Sequence, residues 1–150
     1  MKIKHLSLSA KQPQRCATIL AALTGGEAKP FPSPTMENAW LCVWDEANNA
    51  LIEFIPHDYA LCYGEHGAVY ERQAYPVAFN AAHVMLEANK SIDELAGLAD
   101  TYGLVHRFRP RFGGPLYEVW LEASLLVEFC SPEIQAYAEK KRERSSMSGM

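Results

Sequence analysis

Leu51-Ile52-Glu53-Phe54-Ile55-Pro56 and, further on, Leu126-Val127-Glu128-Phe129-Cys130-Ser131-Pro132 are nearly the same strand written twice in one chain. Both are short apolar runs ended by proline, the pattern of a strand closed by a break. Side chains alternate across a strand, so Glu53 shares a face with Leu51 and Ile55 while Ile52 and Phe54 take the other; Glu128 stands in the same way between Leu126 and Cys130. A carboxylate placed there needs a cation partner, because burying it unpaired costs several kcal/mol or forces it to protonate.

The duplication extends outward from these strands. His5-Leu6-Ser7-Leu8-Ser9-Ala10 and His83-Val84-Met85-Leu86-Glu87-Ala88 each read as a strand headed by histidine. A helix pattern follows each one. The first runs from Pro13, tolerated in an opening turn, to Leu23, with Gly25-Gly26 as the stop; the second runs from Ile92 to Tyr102, with a Ser91/Glu94 capping box and Gly103 as a left-handed exit. Three strand candidates come next in each half: Glu27 to Phe31, Ala39 to Trp44 and Leu51 to Ile55, then Leu104 to Phe108, Leu116 to Leu121 and Leu125 to Cys130. Asn48-Asn49, Gly113-Gly114-Pro115 and Ala123-Ser124 supply the turns. His5 and His83 are 78 positions apart and Glu53 and Glu128 are 75, a difference that a slightly shorter loop absorbs.

The expected fold is therefore α+β, with two tandem β-α-β-β-β modules forming a cupped mixed sheet. Residues 1–56 are the first module, 57–80 a connector, 81–132 the second module, and 133–150 a C-terminal helix and flexible tail. The connector carries Tyr59, Tyr63, Tyr70 and Tyr75 and is long enough to form a helix, a flap or a link that lets modules swap between subunits. Ser131-Pro132-Glu133 reads as a helix start, with Ile134, Tyr137 and Ala138 packing on the outside of the second sheet. From Lys140 on, the chain lacks the apolar residues to order itself.

Composition narrows the function classes. The 150 residues are 49% hydrophobic and 21% charged, as expected of one globular domain with a single core. A formal charge of -4 provides no whole-chain attraction to nucleic acid or an anionic membrane. The four cysteines show no Cys-x-x-Cys rhythm and read as reduced thiols, three of them buried. A start that enters a strand pattern directly, without a secretory signal, and the lack of any long apolar run make a cytoplasmic location the expectation.

A lone strand Glu is equally well explained by an edge strand facing water, and a lone His by a structural role. Four such residues at repeat-equivalent positions point instead to a divalent-metal site of His5, Glu53, His83 and Glu128, two imidazoles and two carboxylates. That donor set suits zinc, nickel, manganese, cobalt or iron.

At these residues, and over about 1–132, the chain resembles the vicinal oxygen chelate superfamily, which includes glyoxalase I, methylmalonyl-CoA epimerase, extradiol dioxygenases and the fosfomycin and bleomycin resistance proteins. The resemblance implies paired β-α-β-β-β modules with metal ligands on the first and last strand of each, where His5, Glu53, His83 and Glu128 fall. It implies a metal that chelates a small-molecule substrate through adjacent oxygens, and a homodimer. Extradiol dioxygenases need two histidines and one carboxylate; a fourth ligand, Glu53, points to a lyase or isomerase of the glyoxalase I and epimerase branch, with Glu53 and Glu128 as candidate bases. A dioxygenase and a drug-sequestering protein without chemistry are the alternatives. Ala21-Ala22-Leu23-Thr24-Gly25-Gly26 replaces that branch's usual text after the first helix, and no Arg follows His5 closely, so glutathione adducts are not implied.

Other residues carry weaker signals. Arg107, Arg109 and Arg111 alternate along a second-module strand and either receive a substrate anion or form a solvated edge, and Pro110 favours the edge. His57 reads as a surface or proton-shuttling residue, and Trp40, Trp44 and Trp120 as core or pocket wall.

Overall fold

The structure, a computed structural model, describes residues 5–33, 36–48, 50–65, 67–75, 82–110, 115–122 and 124–147. Asn49, Arg111, Gly113, Gly114 and Ala123, which the sequence reading used as turn or anion-binding positions, lie outside these residues, as do 1–4 and 148–150.

The expected pair of modules is present. The first consists of β1 (His5–Ala10), α1 (Pro13–Thr24), β2 (Glu27–Pro30), β3 (Trp40–Asp45) and β4 (Ala50–Pro56). A hairpin of β5 (Tyr59–Gly64) and β6 (Gly67–Arg72) follows, so the connector forms a small sheet of its own. The second module consists of β7 (His83–Glu87), α2 (Ile92–Thr101), β8 (Val105–Arg109), β9 (Leu116–Glu122) and β10 (Leu125–Cys130), and α3 (Pro132–Met147) ends the described chain. The two large sheets have the same strand order, β1-β4-β3-β2 and β7-β10-β9-β8. In each, the first strand of the module lies parallel to the last, with His5 opposite Leu51 and His83 opposite Leu126. The repeat thus holds at the level of register as well as of sequence.

The chain does not form the single core expected from its length. It divides into two compact units, Met1–Ala82 with Leu121–Leu125, and His83–Trp120 with Leu126–Met150. α1 packs on the strands of the first sheet and α2 on β8 of the second, so each module buries its own apolar set. In the first unit α1 presents Cys16, Ile19, Leu20 and Leu23, spaced to share a stripe and all buried. Leu8, Ile52, Phe54 and Cys42 are buried in its sheet. Truncating one of these, as in Leu20→Ala, costs about 2–5 kcal/mol.

The helix ends show why the boundaries fall where they do. α2 has the expected capping box, with Ser91 Oγ accepting from the Glu94 amide and Glu94 Oε2 accepting from the Ser91 amide at 2.8 Å. Its chain exits through Gly103 at φ 64. α1 has no local side-chain cap; Glu122, more than a hundred residues later, accepts from the Lys11 amide at 2.9 Å and the Gln12 amide at 2.7 Å. α1 stops at Gly25, which takes φ 78 and donates back to Ala21 O at 2.8 Å.

Two expectations are corrected. α3 continues to Met147 instead of giving way to a flexible tail at Lys140, because Lys, Arg and Glu are good helix formers even without an apolar stripe. Cys16 and Cys42 are buried, whereas Cys62 and Cys130 are only partly so. Of the connector tyrosines, Tyr59 and Tyr70 pack on the Met36, Ala39 and Ile55 cluster, whereas Tyr75 is 90% exposed. Among the described residues no helix is long and apolar enough to cross a membrane.

Candidate functional site

Each unit carries one His/Glu pair on neighbouring parallel strands. In the first, Glu53 is opposite Ser7 in the β1/β4 ladder, so alternation puts His5, Ser7, Leu51 and Glu53 on one face. Glu53 is half-buried, His5 is exposed, and Ser7 Oγ donates to Glu53 Oε2 at 2.5 Å. This hydroxyl satisfies one carboxylate oxygen, a partner that the sequence reading missed although Ser7 lies two residues after His5.

The second unit repeats the backbone arrangement with different chemistry. Met85 stands opposite Glu128 where Ser7 stands opposite Glu53, and a thioether offers no hydrogen. Glu128 is 5% exposed, and its Oε2 lies 3.8 Å from His83 Nε2, whose side chain is about half exposed. That separation is too long for a hydrogen bond. Two ligands about 2.0–2.1 Å from a tetrahedral zinc would stand roughly 3.3–3.4 Å apart, so the His83–Glu128 pair fits a shared divalent ion with a small adjustment. Among the described residues, no group of three or more His, Cys, Asp and Glu side chains is gathered closely enough to hold a metal ion. His83 and Glu128 are brought together; His5 and Glu53 share a face in their own unit.

A second buried carboxylate, Glu118, escaped the sequence reading. Glu118 in β9 has no exposed surface and accepts from Arg107 Nε at 2.7 Å and Arg109 Nη1 at 2.6 Å. Burial pushes its carboxyl up, but the hydrogen bonds and charges of the two arginines outweigh this and hold it below the usual carboxylate range. The signal was present, since Leu116-Tyr117-Glu118-Val119-Trp120 is another acid within an apolar strand. β8 is an edge strand as expected, yet Arg107 and Arg109 clasp Glu118 and are not simply solvated charges.

His57 lines a polar cavity of about 530 Å³ at the start of α1, together with Lys11, Arg15, Trp40 and Arg72. An apolar cavity of about 400 Å³ lies between Phe108, Ile92, Ile134 and Tyr137 in the second unit. Neither is lined by the His/Glu pairs. Trp44 Nε1 donates to Thr24 Oγ1 at 2.8 Å and fastens the end of α1 to β3.

Two β-α-β-β-β modules of identical strand order, each with a His/Glu pair on its parallel strands, define a glyoxalase-like architecture. The sequence matches no family model and no curated protein. Solved structures match over most of the chain. The fosfomycin resistance protein FosX from Listeria monocytogenes is 15% identical over 85% of this chain and 88% of its own, with a TM-score of 0.56. Lactoylglutathione lyase from Agrobacterium tumefaciens is 11% identical over 87% of this chain and 93% of its own, with a TM-score of 0.57. FosX from Mesorhizobium loti is 13% identical over 85% and 89%, with a TM-score of 0.52. These neighbours are members of the vicinal oxygen chelate superfamily, and its fold is the fold of this chain.

Proposed function

We propose that the chain is a divalent-metal-dependent lyase or isomerase of the glyoxalase-like class, acting on a small substrate with two adjacent oxygens. His5, Glu53, His83 and Glu128 are the proposed ligands, and Glu53 and Glu128 the proposed bases. The observation that carries this reading is Glu128: a carboxylate 5% exposed in the middle of an apolar strand, with an imidazole at 3.8 Å. A Glu-to-Gln mutant of FosX from Listeria monocytogenes in complex with Mn(II) and 1S,2S-dihydroxypropylphosphonic acid, a ligand with adjacent hydroxyls, supports the ligand class.

When bound, a divalent ion supplies a Lewis acid that holds adjacent substrate oxygens and stabilises negative charge developing on them. The chain's own residues do the rest. A carboxylate from Glu53 or Glu128 removes a proton from the carbon next to a carbonyl, as a general base. Ser7, bonded to Glu53 Oε2, fixes that carboxylate's orientation and leaves Oε1 for a second partner. A homodimer belongs to the same proposal, and light scattering at micromolar concentration tests it.

The test is proton exchange. Protein incubated with zinc, nickel, manganese, cobalt or iron(II) and a panel of α-hydroxycarbonyl compounds and thioesters in D2O should wash deuterium into the position next to the carbonyl of at least one compound. The Glu53→Gln, Glu128→Gln double variant should not. No exchange with any metal would remove the base assignment and leave a small-molecule binding protein, whereas oxygen uptake on catechols would indicate a dioxygenase.

A further inference from the structure

Glu118 sits mid-strand in β9 with none of its surface exposed, and each of its two oxygens holds a different arginine. The register explains the arrangement. Arg107 is paired directly opposite Glu118 and Arg109 opposite Leu116, so both guanidinium groups project from one face of β8 toward the same carboxylate. This face is the one away from α2, because the other carries His106 and Tyr117, which bond to each other, and His106 also bonds Asp100 of α2 at 2.9 Å. On β7, His83, Met85 and Glu87 are the exposed positions and Glu128 stands opposite Met85, so the His83–Glu128 pair is also on the face away from the helix. At about 4.8 Å between neighbouring strands, the arginines are roughly 10–14 Å across the sheet from that pair.

The charges do not cancel. One carboxylate neutralises one guanidinium, which leaves a positive charge on the cluster in a chain whose total is -4. Burying Glu118 needs one cation, and the second is surplus to that need. The arginine side chains are 63% and 51% exposed, so donor edges not used on Glu118 reach solvent. Two guanidinium groups held side by side by a buried carboxylate form a fork suited to an oxyanion.

We propose that Arg107 and Arg109, oriented by Glu118, form a binding site for the carboxylate or phosphate group of a small anionic ligand. The arginines contact the anion, and Glu118 is a positioning residue. The inference rests on the proposed function only in taking that ligand to be the substrate; the anion site itself is measurable without metal.

The experiment titrates inorganic phosphate into the metal-free full-length protein and follows the arginine Nε–H resonances by NMR. Arg72, whose guanidinium pairs with Asp58 in the first unit, is the internal control. Phosphate should shift the Arg107 and Arg109 signals along one saturable curve and leave Arg72 in place. Arg107→Gln and Arg109→Gln should each weaken the phosphate Kd roughly tenfold or more, and Arg72→Gln should leave it unchanged. Arginine signals that do not move, a shift of Arg72 equal to the others, or a wild-type Kd in folded variants would overturn the proposal. The wild-type spectra decide it even if a variant does not fold. Phosphate binding by a protein that takes up no metal would leave this site standing and remove the proposed function; metal uptake without phosphate shifts would do the reverse.

Discussion

Glu128 Oε2 lies 3.8 Å from His83 Nε2 across a parallel pair of strands, while the repeat-equivalent Glu53 takes a hydrogen bond from Ser7 on its own neighbouring strand. One backbone plan therefore carries two chemically different carboxylates. Ser7→Ala should leave Glu53 without its donor and cost about 0.5–1.5 kcal/mol. Met85→Ser should give Glu128 an equivalent donor, with little change in stability. Urea midpoints at neutral pH measure both.

The first helix depends on a cap from far along the chain. Glu122→Ala removes the acceptor for the Lys11 and Gln12 amides and should destabilise the protein by about 1–2 kcal/mol, comparable to losing the local cap with Ser91→Ala. Amide exchange should accelerate in 13–24 for the first variant and in 92–101 for the second. Uniform acceleration in both would contradict the assignment.

Gly25 and Gly26 should respond differently to alanine. A Cβ at Gly25 meets nothing within 4 Å, so Gly25→Ala costs only the left-handed conformation at φ 78, about 1 kcal/mol. A Cβ at Gly26 would come within 3.0 Å of Cys42 Sγ and Val43 O in β3, so Gly26→Ala should cost about 1–3 kcal/mol through displaced backbone. Thermal unfolding of the two variants gives the order.

The pH dependence of stability follows from Glu118. Its folded pKa lies below the ordinary carboxylate value, so the folded state binds this proton less readily than the unfolded chain. The contribution is complete above the unfolded carboxylate value of about 4.3 and is lost as pH falls through the lower folded value. In an Arg107→Gln, Arg109→Gln double variant, burial acts alone and raises that pKa. Glu118 should then favour the folded state at low pH and lose stability as pH rises. Urea midpoints across acid and neutral pH should show the slope from Glu118 reversed in the double variant.

The thiols should react in two classes. Burial pushes Cys42 up to about 11, partly countered by a hydrogen bond from Thr24, and burial followed by the charge of Glu122 pushes Cys16 up as well. At pH 8 a thiol reagent should leave both untouched in the native protein and label them only on unfolding. Native labelling of Cys16 would mean that α1 opens readily from its sheet.

Much of the architecture was legible because it is written twice. The Leu51–Pro56 and Leu126–Pro132 strands, their leading histidines and both helices could be read from local pattern, and the helix starts at Pro13 and Ile92 coincide with the structure. What escaped was long-range or lacked an apolar signal. Glu122 as a cap for α1 depends on a contact across more than a hundred residues. The last turns of α3 are polar, so no hydrophobic period marked them. Glu118 was missed because its partners, Arg107 and Arg109, were read as an edge feature and not as the cations that a buried acid requires. Ser7 stood two residues from a candidate ligand, but its role depends on the parallel register of β1 with β4, which no local pattern states.

The metal content of the purified protein tests the central claim most directly. Wild-type protein incubated with zinc, nickel, manganese, cobalt or iron(II) and dialysed should retain about one ion per chain, and the Glu53→Gln, Glu128→Gln variant should retain none while keeping its fold. Wild type that retains no metal, or a double variant that retains as much as wild type, would contradict the account.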